Sequence, residues 1–325
     1  MKSSRAAVLV RSTAVLLAAA APVARAETLF VTGERAGTVF KIDAATGRIL
    51  GSSKVGARTR GISLSADGRR VFVAVSHFRE QPSDVPDAVV ALDAANLRVE
   101  RRYGAGTDPE GLALLPDGRE VAVSNEDAGT ASIVDLAKGT AKSLVTGTEP
   151  EGVRASADGR WVYVTAETSN TVTVIDARQK RVVNNLFVSA RPRAVLFSPD
   201  DRRAWVTSEI GGAIDAIDVA GQRVLGRLKL PPRDHPVGLV FRDGLLWIAT
   251  GRGDSVAIVQ ADPLRLVGEV TVGSRPWWLA LSRDGRTLYV ANSLSDTISV
   301  IDTASRKVVR EIPAPGGPWG IAVDG

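Results

Sequence analysis

Several side chains suited to binding or catalysis occupy the same position of a repeated segment. This position directly follows a proline, or Thr59 in the first segment. In chain order, this position is occupied by Arg60, Glu110, Glu151, Arg193, Val237, Trp277 and Trp319. If the segments form a ring, charged groups lie on one half of its mouth and indole rings on the other. Binding pockets generally combine an apolar wall with a few convergent polar groups. We therefore predict a small-ligand or peptide site, with Trp278 and its two neighbouring tryptophans as the wall and the arginines and glutamates as anchors.

The same residues have two plainer interpretations. They could be solvated loop positions or packing between segments, with each carboxylate paired to an arginine. Glu110 and Glu151 could instead chelate a hard cation such as Ca²⁺, with loop carbonyls and water completing the shell. Because the flanking arginines oppose a divalent charge, no metal site is predicted.

Histidine offers little further chemistry, because the chain contains two. His235 lies in PPRDHPVG beside the predicted mouth and is included among the candidate ligand-binding residues. His77 opens the insertion SHFREQPSDVPDA at residues 76–88, which we interpret, with Arg79, as a rim loop that could gate the mouth or contact a partner. Two histidines cannot by themselves make a three-ligand zinc site, and no serine has a GxSxG setting. No catalytic residue is predicted.

A sequence repeat supplies the elements that would position these residues. An Asp-Gly turn or a variant of it recurs at Asp67, Asp117, Asp158, Asp200, Asp243, Asp284 and Asp324. The successive spacings are 50, 41, 42, 43, 41 and 40 residues. This period is typical of propeller blades, and it indicates seven units.

Each unit has the pattern of four short strands. Residues 288–292 (LYVAN) and 297–302 (TISVID) are rich in β-branched and aromatic residues, alternate with period two and are bounded by turn formers. Asp-Gly between apolar runs favours a tight hairpin, because glycine accepts a positive φ. No stretch has a helical pattern long enough to compete.

The two ends of the chain predict how the ring closes. Residues 319–325 (WGIAVDG) form a first strand and turn with no second strand after them, and residues 29–33 (LFVTG) form a second strand with no first strand before them. Pairing these segments would complete the last sheet and leave no unpaired edge. The predicted fold is an all-β, seven-bladed β-propeller of four-stranded blades over residues 27–325.

The first 26 residues have the features of a secretory signal peptide. Lys2, Arg5 and Arg11 precede an apolar stretch at residues 14–21, and residues 24–26 (ARA) form a small-x-small cleavage site. This apolar stretch is too short to span a bilayer, and no later segment lacks charges for that length. We therefore expect a protein exported to the periplasm, without a membrane span.

Charge and sulfur content exclude several classes of function. The leader would remove four of the 41 basic residues, which leaves 37 against 36 acidic ones, so nothing indicates nucleic-acid binding. The chain has no cysteine, and its one methionine is Met1. Disulfides, thiolate nucleophiles and CxxCH haem attachment are therefore excluded.

The repeated motifs resemble the YVTN family of β-propeller repeats. The matching segments are residues 320–325, 288–292 (LYVAN), 162–165 (VYVT) and 171–176 (TVTVID). The leader, the seven units and their register are most similar to β-propeller proteins associated with PQQ-dependent alcohol catabolism. The segment KIDAATGRILG at residues 41–51 resembles the docking motif of PQQ dehydrogenases but lacks its tryptophan, so no cofactor is predicted.

This resemblance implies a non-enzymatic, monomeric scaffold for a ligand or for a periplasmic partner such as a quinoprotein dehydrogenase, a cytochrome or a transporter component. Two alternatives remain open. One is a lactonase or other hydrolase, since propellers with similar repeats open cyclic esters. The other is a structural surface-layer or adhesion protein, as YVTN repeats in other organisms suggest.

Overall fold

Seven sheets of four antiparallel strands surround a central channel in the computed structural model, which describes residues 27–78 and 84–324. This confirms the prediction of an all-β, seven-bladed propeller. The predicted leader, Arg79 and Gly325 lie outside the described residues. Within the described part of the chain, no helix is long and apolar enough to cross a bilayer.

The strands are numbered along the chain, and in blades 2 to 7 they run in order from the channel outward. Blade 1 consists of β1 (Thr28–Gly33), β2 (Thr38–Asp43), β3 (Ile49–Lys54) and, nearest the channel, β28 (Pro318–Asp324). Blade 2 consists of β4 (Arg58–Leu64), β5 (Arg70–Ser76), β6 (Ala88–Asp93) and β7 (Val99–Tyr103). Blade 3 consists of β8 (Pro109–Leu114), β9 (Glu120–Asn125), β10 (Thr130–Asp135) and β11 (Ala141–Val145).

The remaining blades follow the same order. Blade 4 consists of β12 (Pro150–Ala155), β13 (Trp161–Ala166), β14 (Thr171–Asp176) and β15 (Arg181–Phe187). Blade 5 consists of β16 (Pro192–Phe197), β17 (Arg203–Ser208), β18 (Ala213–Asp218) and β19 (Arg223–Lys229). Blade 6 consists of β20 (Leu239–Arg242), β21 (Leu245–Ala249), β22 (Ser255–Ala261) and β23 (Leu264–Thr271), with a short 3₁₀ helix at Gly251–Gly253. Blade 7 consists of β24 (Pro276–Leu281), β25 (Thr287–Asn292), β26 (Thr297–Asp302) and β27 (Lys307–Pro313).

The ring is closed by the pairing predicted from the two chain ends. Strand β28 is antiparallel to β1, with Leu29 opposite Val323 and Val31 opposite Ile321. Blade 1 therefore takes three strands from the start of the described chain and one from its end. The pairing removes two strand edges that would otherwise be open to other chains.

Five of the turns share a hydrogen bond in which the aspartate accepts the backbone N–H two residues later; they are those at Asp67, Asp117, Asp158, Asp200 and Asp284. In the first of them, Ser65 donates its hydroxyl hydrogen to Asp67 at 2.7 Å, and the same carboxylate accepts the N–H of Arg69 at 3.0 Å. Gly68 has φ +69°, a left-handed conformation that costs glycine little. Asp201 occupies the equivalent position in blade 5 with φ +55°, which aspartate tolerates better than most residues.

Seven apolar clusters hold the blades together, one at each interface between neighbouring blades. Phe30 of blade 1 and Val73 of blade 2 share one cluster, and Tyr163 of blade 4 and Ile217 of blade 5 share another. Each sheet thus buries both of its faces against its neighbours, which provides the main driving force for this architecture.

Candidate functional site

The predicted site lies at the end of the channel where each first strand begins. We call this end the upper face, and the opposite end, which carries the Asp-Gly turns, the turn face. In several first strands the predicted residue lies within a β-bulge, for example between Thr59 and Ile62 and between Pro150 and Val153. Bulges redirect side chains, and the side chains of Arg60 and Glu151 meet here at the channel axis.

The structure brings together the four predicted polar anchors. Nε of Arg60 lies 2.8 Å from Oε1 of Glu34, and its Nη1 contacts Glu110 and lies 3.2 Å from Oε1 of Glu151. On the other side of Glu151, Nη1 of Arg193 lies 3.3 Å from the same oxygen. Glu151 is therefore shared by two arginines from different blades.

These anchors are buried in contacts with one another rather than open to solvent. Glu110 is 0% exposed, Glu151 4% and Arg193 7%. Their side chains fill the upper end of the channel. The interpretation in which each carboxylate is paired with an arginine thus describes these four residues in the structure, and ligand binding by them stays a prediction.

Sequence reasoning missed four glutamates of this cluster. Each is the residue that follows the second strand of its blade; they are Glu34, Glu126, Glu167 and Glu209. Arg193 contacts Glu167 and lies 2.7 Å from Glu209, while Arg58 lies 3.1 Å from Glu34. A repeated triplet could have revealed them, because TGE, SNE, TAE and TSE end the second strands of blades 1, 3, 4 and 5.

The first residue of that triplet fixes the backbone of the anchors. The Thr165 hydroxyl accepts the N–H of Gly152 at 2.8 Å and donates to the carbonyl oxygen of Arg193 at 3.1 Å. Thr32 makes the same bridge, donating to the carbonyl oxygen of Arg60 at 2.7 Å. A buried hydroxyl of one blade thus holds the charged residue of the next. Blades 2, 6 and 7 carry alanine at this position.

Acidic groups outnumber basic groups in the cluster. We call the whole set the buried charge network: Glu34, Arg58, Arg60, Asp108, Glu110, Glu126, Glu151, Glu167, Arg191, Arg193, Glu209 and Arg275. Seven carboxyl groups therefore share five guanidinium groups. An excess charge in a dry site is relieved by protonation of part of the acids.

The pKa values of several carboxyl groups are shifted, as expected from the excess of carboxyl over guanidinium groups. Burial raises the pKa of Glu110 well above its usual range, and burial, with the nearby charge of Glu151 as the next cause, raises the pKa of Glu167 to about 8. Burial likewise raises the pKa of Glu126. In contrast, although burial acts in the opposite direction, Arg60 and Arg58 lower the pKa of Glu34. Within the network, the pKa values of the carboxyl groups are thus shifted in opposite directions.

The three predicted tryptophans form one aromatic cluster next to this network. Trp278 and Trp319 stack with ring centroids 5.5 Å apart and planes at 12°, and Trp277 lies 6.1 Å from Trp319. The guanidinium of Arg60 lies over Trp319 at 5.3 Å, and that of Arg275 lies over Trp277 at 4.6 Å. Cation–π contacts of this kind add to the ion pairs that hold the arginines in place.

His77 has a carboxylate partner that was not predicted. Its Nδ1 lies 3.0 Å from Oδ1 of Asp87, which closes the same insertion, and Oδ2 of Asp87 accepts the N–H of Asp108 at 2.8 Å. Asp108 in turn lies 3.0 Å from Nη1 of Arg58. A continuous chain of polar contacts therefore links His77 at the rim to the buried charge network. The side chain of His77 is 40% exposed.

His235 lies apart from His77, in the link between β19 of blade 5 and β20 of blade 6. Its backbone N–H donates to the carbonyl oxygen of Thr250 at 2.9 Å, and its Nδ1 is buried without a hydrogen-bond partner in the described part of the chain. The structure does not bring the two histidines together.

One cluster of three acidic side chains has the spacing of a cation site. Carboxylate oxygens of Asp108, Glu110 and Glu126 lie within 4.8 Å of one another. Nη1 of Arg58 lies 3.0 Å from Asp108 and 2.8 Å from Glu110, so a guanidinium already neutralises two of the three side chains. Glu110 and Glu151, the pair considered from the sequence, are similarly bridged by Arg60.

Below the buried charge network, the channel contains a cavity of about 700 Å³ that extends to the turn face. Its upper end is formed by Glu151, Arg193 and Trp319, and its lower end includes Pro116 and Ala157 of the turns. The first strands supply its walls. This volume is within the usual range of small-molecule pockets.

Comparison with known proteins gave matches among solved structures. No family model matches the chain, and neither does any curated protein sequence. A candidate 6-phosphogluconolactonase from Bacteroides fragilis is similar with a TM-score of 0.79 and 18% identity, over 94% of this chain and 100% of the other. The periplasmic gluconolactonase of Pseudomonas aeruginosa has a TM-score of 0.76 and 21% identity, over 92% and 99%.

A third similar structure is the hydrazine synthase of Kuenenia stuttgartiensis, with a TM-score of 0.75 and 23% identity over 85% of this chain and 92% of the other. Identities this low establish a shared propeller fold and no more. The similarity to YVTN and PQQ-associated proteins inferred from the sequence stays a prediction.

Proposed function

We propose that the protein hydrolyses small neutral lactones at its upper face, with His77 as general base. The observation that carries this proposal is the contact of 3.0 Å between Nδ1 of His77 and Asp87. A histidine whose one nitrogen is held by a carboxylate, and which remains half-exposed, has the arrangement of a base that activates water.

Among residues 27–78 and 84–324, no hydrogen-bond partner is found for the second ring nitrogen of His77, Nε2. With the proton on Nδ1 donated to Asp87, Nε2 carries the lone pair. It would take a proton from water as the water oxygen adds to the lactone carbonyl. The ring C–O bond then breaks, the ring oxygen leaves as a hydroxyl group after taking up that proton, and a hydroxy acid is released.

Charge at the upper face favours an uncharged substrate. The buried charge network has two more carboxyl groups than guanidinium groups, so a phosphorylated lactone would meet no surplus positive charge there. Two of the similar structures bear names of lactone hydrolases, which supports a lactone as the substrate. Of the two, the periplasmic gluconolactonase is named for a lactone without a phosphate group. We also propose export to the periplasm, as the leader indicates.

The test is acid release from δ-gluconolactone, followed with a pH indicator above the spontaneous rate. His77→Gln and Asp87→Asn should each lower kcat by about 100-fold or more if general-base catalysis operates. Arg202→Gln is the control, because this arginine is on the turn face with a side chain 84% exposed, and it should retain activity.

Two outcomes of this experiment would contradict the proposal. Turnover by the purified protein that equals the spontaneous rate, or turnover unchanged in His77→Gln, would contradict lactone hydrolysis at this site. The non-enzymatic scaffold would then be the function to pursue, by retention of partners on immobilised protein. Cell fractionation tests the location.

A further inference from the structure

Of the charged residues that line the cavity beneath the buried charge network, Arg154 is the one without an ion pair or side-chain hydrogen bond to any described residue. Arg154 lies on β12, three residues below Glu151 and thus about 10 Å nearer the turn face. Its side chain lines the cavity. At the equivalent position, the other six blades have small or apolar residues: Ser63, Ala113, Leu196, Val240, Ala280 and Ala322.

Arg154 has no partner among the described residues. Four residues with charged side chains line the cavity, and the other three are paired or hydrogen-bonded. Glu151 and Arg193 contact each other, and Asp201 accepts the backbone N–H groups of blade 4 at 2.9 Å. No ion pair or side-chain hydrogen bond joins Arg154 to any residue in the ranges 27–78 and 84–324.

The surroundings of Arg154 combine access to the cavity with enclosure by the blades. The side chain is exposed to the cavity space, yet the blades surround it on all sides, and this burial lowers its pKa from the ordinary value. Leu114, Val195 and Phe241 are among the apolar residues of the walls. A guanidinium without a counter-ion in such a place is unfavourable alone and strongly attractive to an anion.

We propose that this cavity binds a small carboxylic acid with an apolar body, whose carboxylate pairs with Arg154. A guanidinium offers two parallel N–H donors that match a carboxylate. A single cation suits one negative charge, and the apolar walls suit a hydrocarbon or aromatic body. Trp278 and Trp319, which line the upper end, would contact that body.

This cavity is separate from the site proposed for lactone hydrolysis. Glu151, Arg193 and Trp319 lie between the cavity and the upper face and are all nearly fully buried. A ligand would therefore enter from the turn face, past residues such as Pro116 and Ala157. Binding in the cavity and turnover at His77 can be measured independently.

The probe is octanoate, titrated calorimetrically into the full-length mature protein, with 1-octanol as the matched uncharged compound. We expect octanoate to bind at least about tenfold more tightly than 1-octanol. Tryptophan fluorescence should change on binding, because two indoles line the cavity. Arg154→Met should abolish the preference for octanoate, and Arg154→Lys should retain part of it.

Arg202→Met serves as the control, because this arginine is exposed on the turn face with a side chain 84% accessible. It should leave octanoate binding unchanged. The proposal is overturned if the wild-type protein does not bind octanoate. It is equally overturned if octanoate and 1-octanol bind alike, or if Arg154→Met, folded as judged by circular dichroism, binds octanoate as the wild type does.

Discussion

Arg60 of blade 2 contacts Glu151 of blade 4, with Nη1 of Arg60 3.2 Å from Oε1 of Glu151. This ion pair joins two blades that are separated in the ring by blade 3. Glu110 of that blade lies against the same guanidinium. Side chains of three successive blades are therefore in contact at the upper end of the channel. Each depends on the others for its neutralisation, and this gives the network a measurable effect on stability.

Removing one cation from this network should be strongly destabilising. Arg193→Met would leave Glu209, whose pKa is lowered, without its nearest counter-ion in a buried site, at a cost of about 3–5 kcal/mol in the free energy of unfolding. Urea denaturation measures the loss. The exposed Arg202→Met should change the free energy of unfolding by less than about 0.5 kcal/mol. Equal effects of the two substitutions would contradict a buried network.

Stability should fall as pH rises through neutrality. The pKa of Glu167 is raised from 4.5 to about 8 in the folded protein, so the folded state holds a proton that the unfolded state releases between these values. The corresponding stabilisation is complete below about pH 4.5 and is lost as pH approaches and passes 8. The pKa values of Glu110 and Glu126 are also raised, so these groups likewise make the folded protein less stable as pH rises. The melting temperature should therefore decrease from about pH 5 to about pH 9.

Glu167→Gln isolates this contribution, because glutamine resembles the protonated carboxyl group at every pH. Its melting temperature should depend less on pH than that of the wild type across this interval. Glu34 and Glu209, whose pKa values are lowered, contribute stability that is instead lost as pH falls below their ordinary range. Glu100→Gln, on an outer strand, is the control; if it flattened the profile as much, the assignment to Glu167 would be wrong.

The hydroxyl bridge between blades should be worth more than an ordinary surface hydrogen bond. Thr165→Val keeps the shape of the side chain but leaves the N–H of Gly152 and the carbonyl of Arg193 without this partner. We expect a loss of about 1–3 kcal/mol on denaturation. Thr140→Val, at an exposed position, is the matched substitution and should have little effect. A loss no greater than that of Thr140→Val would exclude a stabilising bridge.

Calcium should not stabilise the protein, although three carboxylates have suitable spacing. Arg58 lies within 3.0 Å of Asp108 and Glu110, and a divalent ion would have to displace its guanidinium. Melting curves with about 5 mM CaCl₂ and with EDTA should coincide. If calcium raised the melting temperature of the wild type but not of Glu126→Gln, the carboxylates would be a cation site after all.

The repeat made the fold predictable, because each unit shows its turns and alternating strands in local sequence. The same repeat aligned Arg60, Glu110, Glu151 and Arg193, and the structure places these four side chains together. Their burial was not predictable in the same way. It depends on Glu34 and Glu209, which follow second strands and meet the arginines only after the blades have packed.

Two further features of the molecule were not predicted from the sequence. Asp87 contacts His77 although ten residues separate them in the sequence, and no local pattern indicates this pairing. Arg154 was overlooked because its position, three residues after an anchor, is apolar or small in every other unit. Comparing all seven units column by column would have singled it out.

The pairing of Leu29 with Val323 also sets the order in which the molecule can be completed. Blades 2 to 7 each assemble from consecutive strands, so their hairpins can form while synthesis or transport is still in progress. Blade 1 is complete only after Pro318–Asp324 has paired with β1. This pairing closes a loop of nearly the whole chain, so it has the largest entropic cost and is the slowest step of assembly. Until then the ring is open on one side, with the apolar faces of β1 and β25 accessible to chaperones.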